Sequence, residues 1–184
     1  MCIRDRDTGY LLTFKNGKQI FSKHVIGADG IQSKIRRCLF RDTKIRSSQQ
    51  ICWRGVCKFQ LSKTYKNIFT EAWGKGNRFG FVQIAPNLVY WYAVKTMEQP
   101  YSFYMTTDWS KLFQDYDSIT QELIANTPKT TIHVAELEDL LPLKNWHRKG
   151  VCLLGDAAHA TTPNMGQGAC QAIEDAYVLS LIHI

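Results

Sequence analysis

The chain has 184 residues, 45% of them hydrophobic and 21% charged, enough for one domain with a sizeable core or for parts of two. No apolar run approaches the roughly 20 residues that span a bilayer, and the opening lacks the charged, apolar and small-residue succession of a secretory signal. The net charge of +7 is scattered (Lys15, Lys18, Lys23, Lys34, Arg36, Arg37, Lys58, Lys63), which describes a solvated basic surface, or a weak attraction for anionic cofactors, and not a nucleic-acid footprint.

Residues 8–14 alternate, Asn16-Gly17 supplies a tight-turn dipeptide, and residues 19–23 resume the extended pattern, which predicts a β-hairpin. Residues 24–28 are a short apolar run ending in small side chains, followed by Asp29-Gly30 and a helix-like stretch over 33–39. Strand, glycine turn and helix together predict a βα junction. Between 51 and 96, short runs rich in aromatic and β-branched residues (51–59, 68–73, 79–84, 88–94) are separated by turn clusters, the texture of an antiparallel sheet. Apolar positions 109, 112, 113, 116, 119, 123 and 124 predict one amphipathic helix with Asp108 as its N-cap. Residues 150–156 read as a buried strand with a carboxylate at its C-terminal end. A loop over 157–166 and a helix over 168–179 follow, with Glu174 and Asp175 on the polar side of that helix.

Six cysteines occur, none in C-x-x-C spacing. Cys52 and Cys57 fall on opposite faces of one strand, and the pattern reads as reduced thiols in a cytoplasmic protein. The two ends look foreign. Back-translation of the opening Met1-Cys2-Ile3-Arg4-Asp5 gives a string whose reverse complement encodes Leu-Ser-Leu-Ile-His, the order of residues 179–183. The string resembles a transposase adapter of sequencing libraries. Residues 1–6 and 180–184 are therefore expected to be artefact, and the protein to be cut at both sides.

Two segments carry chemistry. In Gly155-Asp156-Ala157-Ala158-His159 an acid ends a central strand, where α/β sheets bind ligands. An ionised carboxylate accepts hydrogen bonds only, which suits a polyol hydroxyl. Pro163 and Gly166-Gln167-Gly168 follow and open a helix whose free N–H groups favour negative charge. The other segment, Gly27-Ala28-Asp29-Gly30 through Ser33 to Arg36, repeats strand end, acid, glycine and helix start. On its own Asp29 reads equally well as an ordinary turn residue capping a helix.

Together these segments match GADGxxSxxR and GDAAHxxxPxxGQGxxxxxEDAxxL. They resemble the second and third FAD fingerprints of the group A flavoprotein aromatic hydroxylases, the family of the 4-hydroxybenzoate hydroxylase type, zeaxanthin epoxidase and FAD-dependent urate hydroxylase. The resemblance covers nearly all of residues 7–179. It implies an α/β FAD/NAD(P)-binding, Rossmann-like three-layer domain, incomplete, with an inserted antiparallel substrate sheet. The implied division is 7–45 and 133–179 for the FAD-binding part and 46–132 for the substrate part.

By that resemblance Asp156 binds the ribityl chain, with Gly155 beside it among the cofactor-binding residues. Asp29, Gly30 and Arg36 lie near the pyrophosphate and the nicotinamide path, and Pro163, Gly166, Gln167 and Gly168 flank the isoalloxazine. Arg78 and Tyr90 are candidates to face substrate, or else a strand-edge charge and a core aromatic. His159 reads as a packed, hydrogen-bonded histidine rather than a catalytic one.

The implied activity is that of a flavin-dependent monooxygenase. NADH or NADPH reduces FAD, O2 forms a flavin C4a-hydroperoxide, and one oxygen enters a small aromatic or unsaturated substrate. No metal, nucleic acid or membrane segment is implied. The upstream GxGxxG that would hold the ADP half of FAD is missing, so the chain alone is expected to be inactive. Two alternatives stand beside this reading. One is a non-oxygenating flavoprotein of the same fold, a halogenase or a reductase. The other is an inactive basic nucleotide-binding fragment.

Overall fold

Period-two alternation and glycine-bearing turns build most of this chain, and the computed structural model describes residues 2–6, 8–40, 43–106 and 108–182. In chain order the first elements are β1 (Cys2–Arg6), β2 (Gly9–Thr13), β3 (Gln19–Ser22), β4 (Val25–Gly27) and α1 (Lys34–Leu39). Next come β5 (Ile45–Lys58), β6 (Thr70–Gly74), β7 (Asn77–Ala85), β8 (Leu88–Thr96), α2 (Tyr101–Thr106), α3 (Ser118–Ala125) and β9 (His133–Leu140). The last are β10 (His147–Arg148), β11 (Val151–Leu153), α4 (Asp156–His159) and α5 (Gly168–Ile182). The fold is mixed α/β with antiparallel sheets, the class the sequence implied. It divides into two compact units, residues 1–48 with 138–184, and residues 49–137.

In the first unit β1, β2 and β3 form an antiparallel sheet in that order. The expected hairpin is β2–β3, closed at Thr13↔Gln19, with Gly17 at φ 81° and Asn16 Oδ1 accepting from the Lys18 N–H at 3.1 Å. Cys2–Arg6, set aside in the sequence as adapter-derived, pairs along β2 from Cys2↔Thr13 to Arg6↔Gly9. Of the residues so set aside, Met1, His183 and Ile184 lie outside the described residues.

A second small sheet has the order β10-β11-β4, with β11 parallel to β4 and Leu153 opposite Gly27. Tyr10, Leu12, Val25, Ile35, Val151, Leu153, Ala157 and Ala158 bury together as this unit's core. A side chain at Gly27 would meet Leu153 at 2.9 Å and Ile35 at 3.1 Å, so glycine lets α1 close onto the strand pair.

The second unit holds the five-stranded sheet, order β6-β7-β8-β5-β9. Odd-numbered residues of three strands point into one core: Ile51, Trp53 and Cys57, then Phe79 and Phe81, then Val89, Trp91 and Ala93. Tyr104, Phe113 and Leu123 close it from outside the sheet. Trp91 donates from Nε1 to Thr127 Oγ1 at 2.8 Å, satisfying its one polar atom. Its ring lies over Gly55, where an added Cβ would come within 2.7 Å of it.

Three local expectations are corrected. Residues 109–124 form a 3-10 turn (Trp109–Phe113) and then α3, not one helix. The cap is Asp117, whose side chain accepts from the Thr120 N–H at 3.2 Å and the Thr120 hydroxyl at 2.8 Å. Asp108 stands at the N-cap position of the 3-10 turn, but its side chain accepts from the Ser110 hydroxyl at 2.6 Å and makes no cap bond to the backbone. A second capping residue inside the apolar period restarted the helix while Trp109, Phe113 and Ile119 kept the same buried side. The expected loop 157–166 contains α4, and β9 and α2 carried no pattern that singled them out.

The described cysteines, Cys38, Cys52, Cys57, Cys152 and Cys170, are free thiols, and burial pushes Cys52 up to about 11. Among the described residues no helix is long and apolar enough to cross a membrane.

Candidate cofactor site and open sheet face

The first motif folds as a capped turn. After β4 the chain reverses at Gly30, φ 75°, and enters α1. Asp29 spends both carboxylate oxygens on that entry. It accepts from the Ser33 hydroxyl at 2.5 Å, the Lys34 N–H at 2.7 Å and the Ile35 N–H at 3.3 Å. Burial works to raise the Asp29 carboxyl, but these bonds together outweigh it and hold the group below its ordinary range. Ser33 in turn accepts from the Arg36 N–H at 2.9 Å as N-cap. The helix-capping reading of Asp29 is therefore realised in full.

The second motif is built differently. Gly155 follows β11 at φ 57°, ψ −138°, a conformation that disfavours any side chain. Asp156 then opens α4 and is exposed. Among the described residues its carboxylate has no protein partner, in contrast to Asp29. Thr162, Pro163 and Gly166 (φ 64°) turn the chain into α5, whose first N–H groups have no acceptor within the helix. A Cβ at Gly166 or at Gly30 would meet nothing within 4 Å.

Arg36 joins the two motifs. It is 1% exposed, and its guanidinium donates to the carbonyls of Ala157 at 3.0 Å, Asp156 at 3.5 Å and Ile31. Burial, with help from Arg37 and against Asp29, lowers its pKa. The resemblance sets Arg36 near the pyrophosphate and the nicotinamide path; its two terminal guanidinium nitrogens donate to protein carbonyls, and so tie the Asp29 turn to the Asp156 turn.

Helical periodicity puts residues 174–175 on the polar side of the last helix. Asp175 instead faces inward: its Oδ2 accepts from the Gly155 N–H at 2.9 Å and lies 2.6 Å from His159 Nε2. The His159 ring also packs on Trp146, centroids 4.8 Å apart, so it is the packed, hydrogen-bonded histidine expected.

In the second unit, Arg78 and Tyr90 lie on the sheet face turned away from the core. The same face carries Glu71, Trp73, Tyr92 and Arg54, aligned by the registers Glu71↔Gly80, Gly80↔Tyr92 and Arg54↔Tyr92. Glu71 organises this group. Its Oε1 accepts from the Tyr92 hydroxyl at 2.5 Å and pairs with Arg78 Nε at 3.3 Å, and its Oε2 accepts from Trp73 Nε1 at 2.9 Å. Arg78 lies 5.9 Å from the Trp73 ring centroid. Tyr92 lies flat over Gly80, where a Cβ would come within 2.5 Å of the ring. Burial, and then the bond to Glu71, raise the Tyr92 hydroxyl, while burial and the neighbouring Cys52 raise Tyr90 against Arg54.

Beside this group Arg54, Gly55, Val56, Tyr90, Thr131 and His133 line a concavity of about 410 Å³. Arg54 is exposed and has no ion pair among the described residues. Sequence reasoning missed Glu71, Tyr92 and Arg54, because only the strand register brings them together. It missed the inward role of Asp175 because helical periodicity alone put that residue outside.

Known proteins resemble this chain in sequence and fold. The chain is 37% identical to "Aurachin C monooxygenase/isomerase" of Stigmatella aurantiaca, over 96% of this chain and 46% of that protein. It is 38% identical to "2-heptyl-3-hydroxy-4(1H)-quinolone synthase" of Pseudomonas aeruginosa, over 85% of this chain and 42% of that protein. The crystal structure of Klebsiella pneumoniae HpxO complexed with FAD and uric acid superposes with a TM-score of 0.87 at 27% identity, covering 98% of this chain and 47% of that one. The chain thus spans less than half the length of these relatives. The family described as FAD binding domain matches residues 4–182. With the match running through both motifs and the sheet between them, this chain belongs to the FAD binding domain family.

Proposed function

We propose that this chain is part of a flavin-dependent monooxygenase that oxidises a small planar aromatic or heteroaromatic substrate. The observation that carries the reading is Asp156: an exposed carboxylate without a partner among the described residues, at the end of a strand in a parallel pair, next to an acid whose oxygens are all committed. Such a group is fit to accept a ribityl hydroxyl of FAD. Gly155, Pro163, Gly166, Gln167 and Gly168 leave the approach clear of side chains or offer N–H groups, Asp29 and Gly30 shape the neighbouring turn, and Arg36 fixes the spacing between the two. The chemistry FAD supplies when bound is electron transfer from NADH or NADPH to O2, with one oxygen atom delivered to substrate.

The relatives named for quinolone and aurachin chemistry support a flat, largely uncharged ring as substrate. The open sheet face agrees with that. Glu71 neutralises Arg78, so Arg78 and Tyr90 contribute position and hydrogen bonding more than net charge. We place the activity in a longer, cytoplasmic protein, with residues 7–45 and 133–179 in its FAD-binding part and 46–132 over its substrate. Neither a halogenase nor a bare nucleotide-binding module draws support from the relatives named above.

The test is flavin titration of the full-length protein. It is expected to purify yellow and to use NADH or NADPH faster when substrate is added. Asp156→Ala should weaken FAD by about 1.5–3 kcal/mol, the worth of a hydrogen bond to a charged group. Unchanged flavin affinity in that variant sinks the assignment.

A further inference from the structure

We infer that Asp175 is the positioning residue for the flavin-binding turn, setting the direction of the Asp156 carboxylate from one helix away; this rests on the reading of Asp156 given above. The argument begins at Gly155. Its backbone is held on both sides, because its carbonyl accepts the Ala158 N–H at 2.8 Å and the His159 N–H at 2.9 Å, while its own N–H is donated to Asp175 Oδ2 at 2.9 Å. The peptide before Gly155 is thus fixed at its donor and the peptide after it, which leads into Asp156, at its acceptor, so the backbone has little freedom to swing at Gly155.

Helix α5 presses on the same spot a second time. Ala172, one turn before Asp175, sits where a Cβ on Gly155 would meet its own Cβ at 3.0 Å. Glycine at φ 57° is thus required both by its conformation and by the helix that packs against it.

The same Asp175 oxygen takes His159 Nε2 at 2.6 Å. His159 closes α4, the single helical turn that Asp156 opens, so Asp175 clamps that turn at both ends. An acceptor-only carboxylate requires the proton on Nε2, which defines the ring's orientation against Trp146. The bonds of Asp175 to this turn run through one oxygen, Oδ2, to the Gly155 N–H and the His159 ring. Its influence on a flavin hydroxyl runs through the Gly155 peptide and the imidazole, by pre-organising an acceptor that would otherwise sample several directions.

The experiment compares ligands in the full-length protein: FAD and FMN, which carry the ribityl chain, against ADP, which does not. Asp175→Ala is expected to weaken FAD and FMN roughly 10- to 100-fold, as loss of bonds to a charged acceptor does, and to leave ADP affinity unchanged. Asp175→Asn keeps one acceptor oxygen and is expected to lose several-fold less, so it decides the matter should the alanine variant fail to fold. His159→Gln retains a neutral donor for Asp175 and is expected to restore most of the flavin affinity that His159→Ala loses. Equal losses for ADP and FMN would make Asp175 merely structural, and no loss for either would remove it from the site. Asp156→Ala serves as the reference: if it leaves FMN affinity intact, the reading of Asp156 fails first and the role of Asp175 falls with it. If Asp156→Ala weakens FMN and the Asp175 variants do not, only the role of Asp175 is overturned.

Discussion

Arg36 is the side chain whose removal should cost the first unit most. Its guanidinium makes one good bond to Ala157, one to Ile31 and a long one to Asp156, all from a site that is 1% exposed. A hydrogen bond from a charged donor is worth about 1.5–3 kcal/mol, so two good ones amount to roughly 3–6 kcal/mol gross. Against this stands the desolvation of a buried cation, relieved when the charge is deleted. Its Nε, which has no partner among the described residues, marks that cost as incompletely offset.

The net loss on Arg36→Ala is therefore about 3 kcal/mol. With a urea slope of about 2 kcal/mol/M for a unit of this size, the unfolding midpoint should fall by about 1.5 M. Arg36→Lys keeps the charge but not the fork, and is expected to fall between wild type and alanine. Arg37→Ala removes an exposed bond to Gln32 and should change stability by less than about 0.5 kcal/mol. A midpoint for Arg36→Ala within error of that for Arg37→Ala would refute the idea that Arg36 ties the two turns together.

The two caps in the second unit separate cleanly: Asp117→Ala should cost about 1 kcal/mol in urea unfolding, and Asp108→Ala much less, because only Asp117 bonds a helix N–H. Gly55→Ala forces a methyl against the Trp91 ring and Thr127 and should destabilise by about 1–3 kcal/mol, visible as a lowered thermal midpoint. Asp29 predicts a pH effect. Its folded-state pKa lies below its unfolded value, so its contribution is fully present above about pH 4 and disappears as pH falls through the lowered folded value. Stability measured from pH 7 downward should therefore drop less steeply in Asp29→Asn than in wild type, and parallel curves would remove Asp29 from the acid response.

The parts legible in the sequence are those whose information is local. Strand, Asp29-Gly30 and Ser33 announce a capped turn because each bond lies within six residues, and the alternation of 79, 81, 89, 91 and 93 announces one buried sheet face. The long fingerprint from Gly155 to Leu179 marked the second turn. What stayed hidden depends on distance. Arg36 is polar and sits in a short helix, and nothing nearby in sequence says that it is buried under carbonyls 120 and 121 residues away. Glu71 meets Tyr92 only because β6, β7 and β8 adopt one particular register. The break before α3 was written in Asp117, but an uninterrupted apolar period concealed it.

The tryptophans make this molecule optically self-labelled. Trp109 stacks between Trp53 and Trp91, with centroids 5.4 and 5.5 Å apart and interplanar angles of 18° and 27°, so their excited states couple and give the second unit its own circular-dichroism signature. Trp146 is the one tryptophan of the first unit, and the imidazole against it is His159. Emission from Trp146, isolated by replacing the other four with phenylalanine, would therefore report whether the His159 ring keeps its contact, and with it the state of the clasp beneath Asp156, without any flavin present.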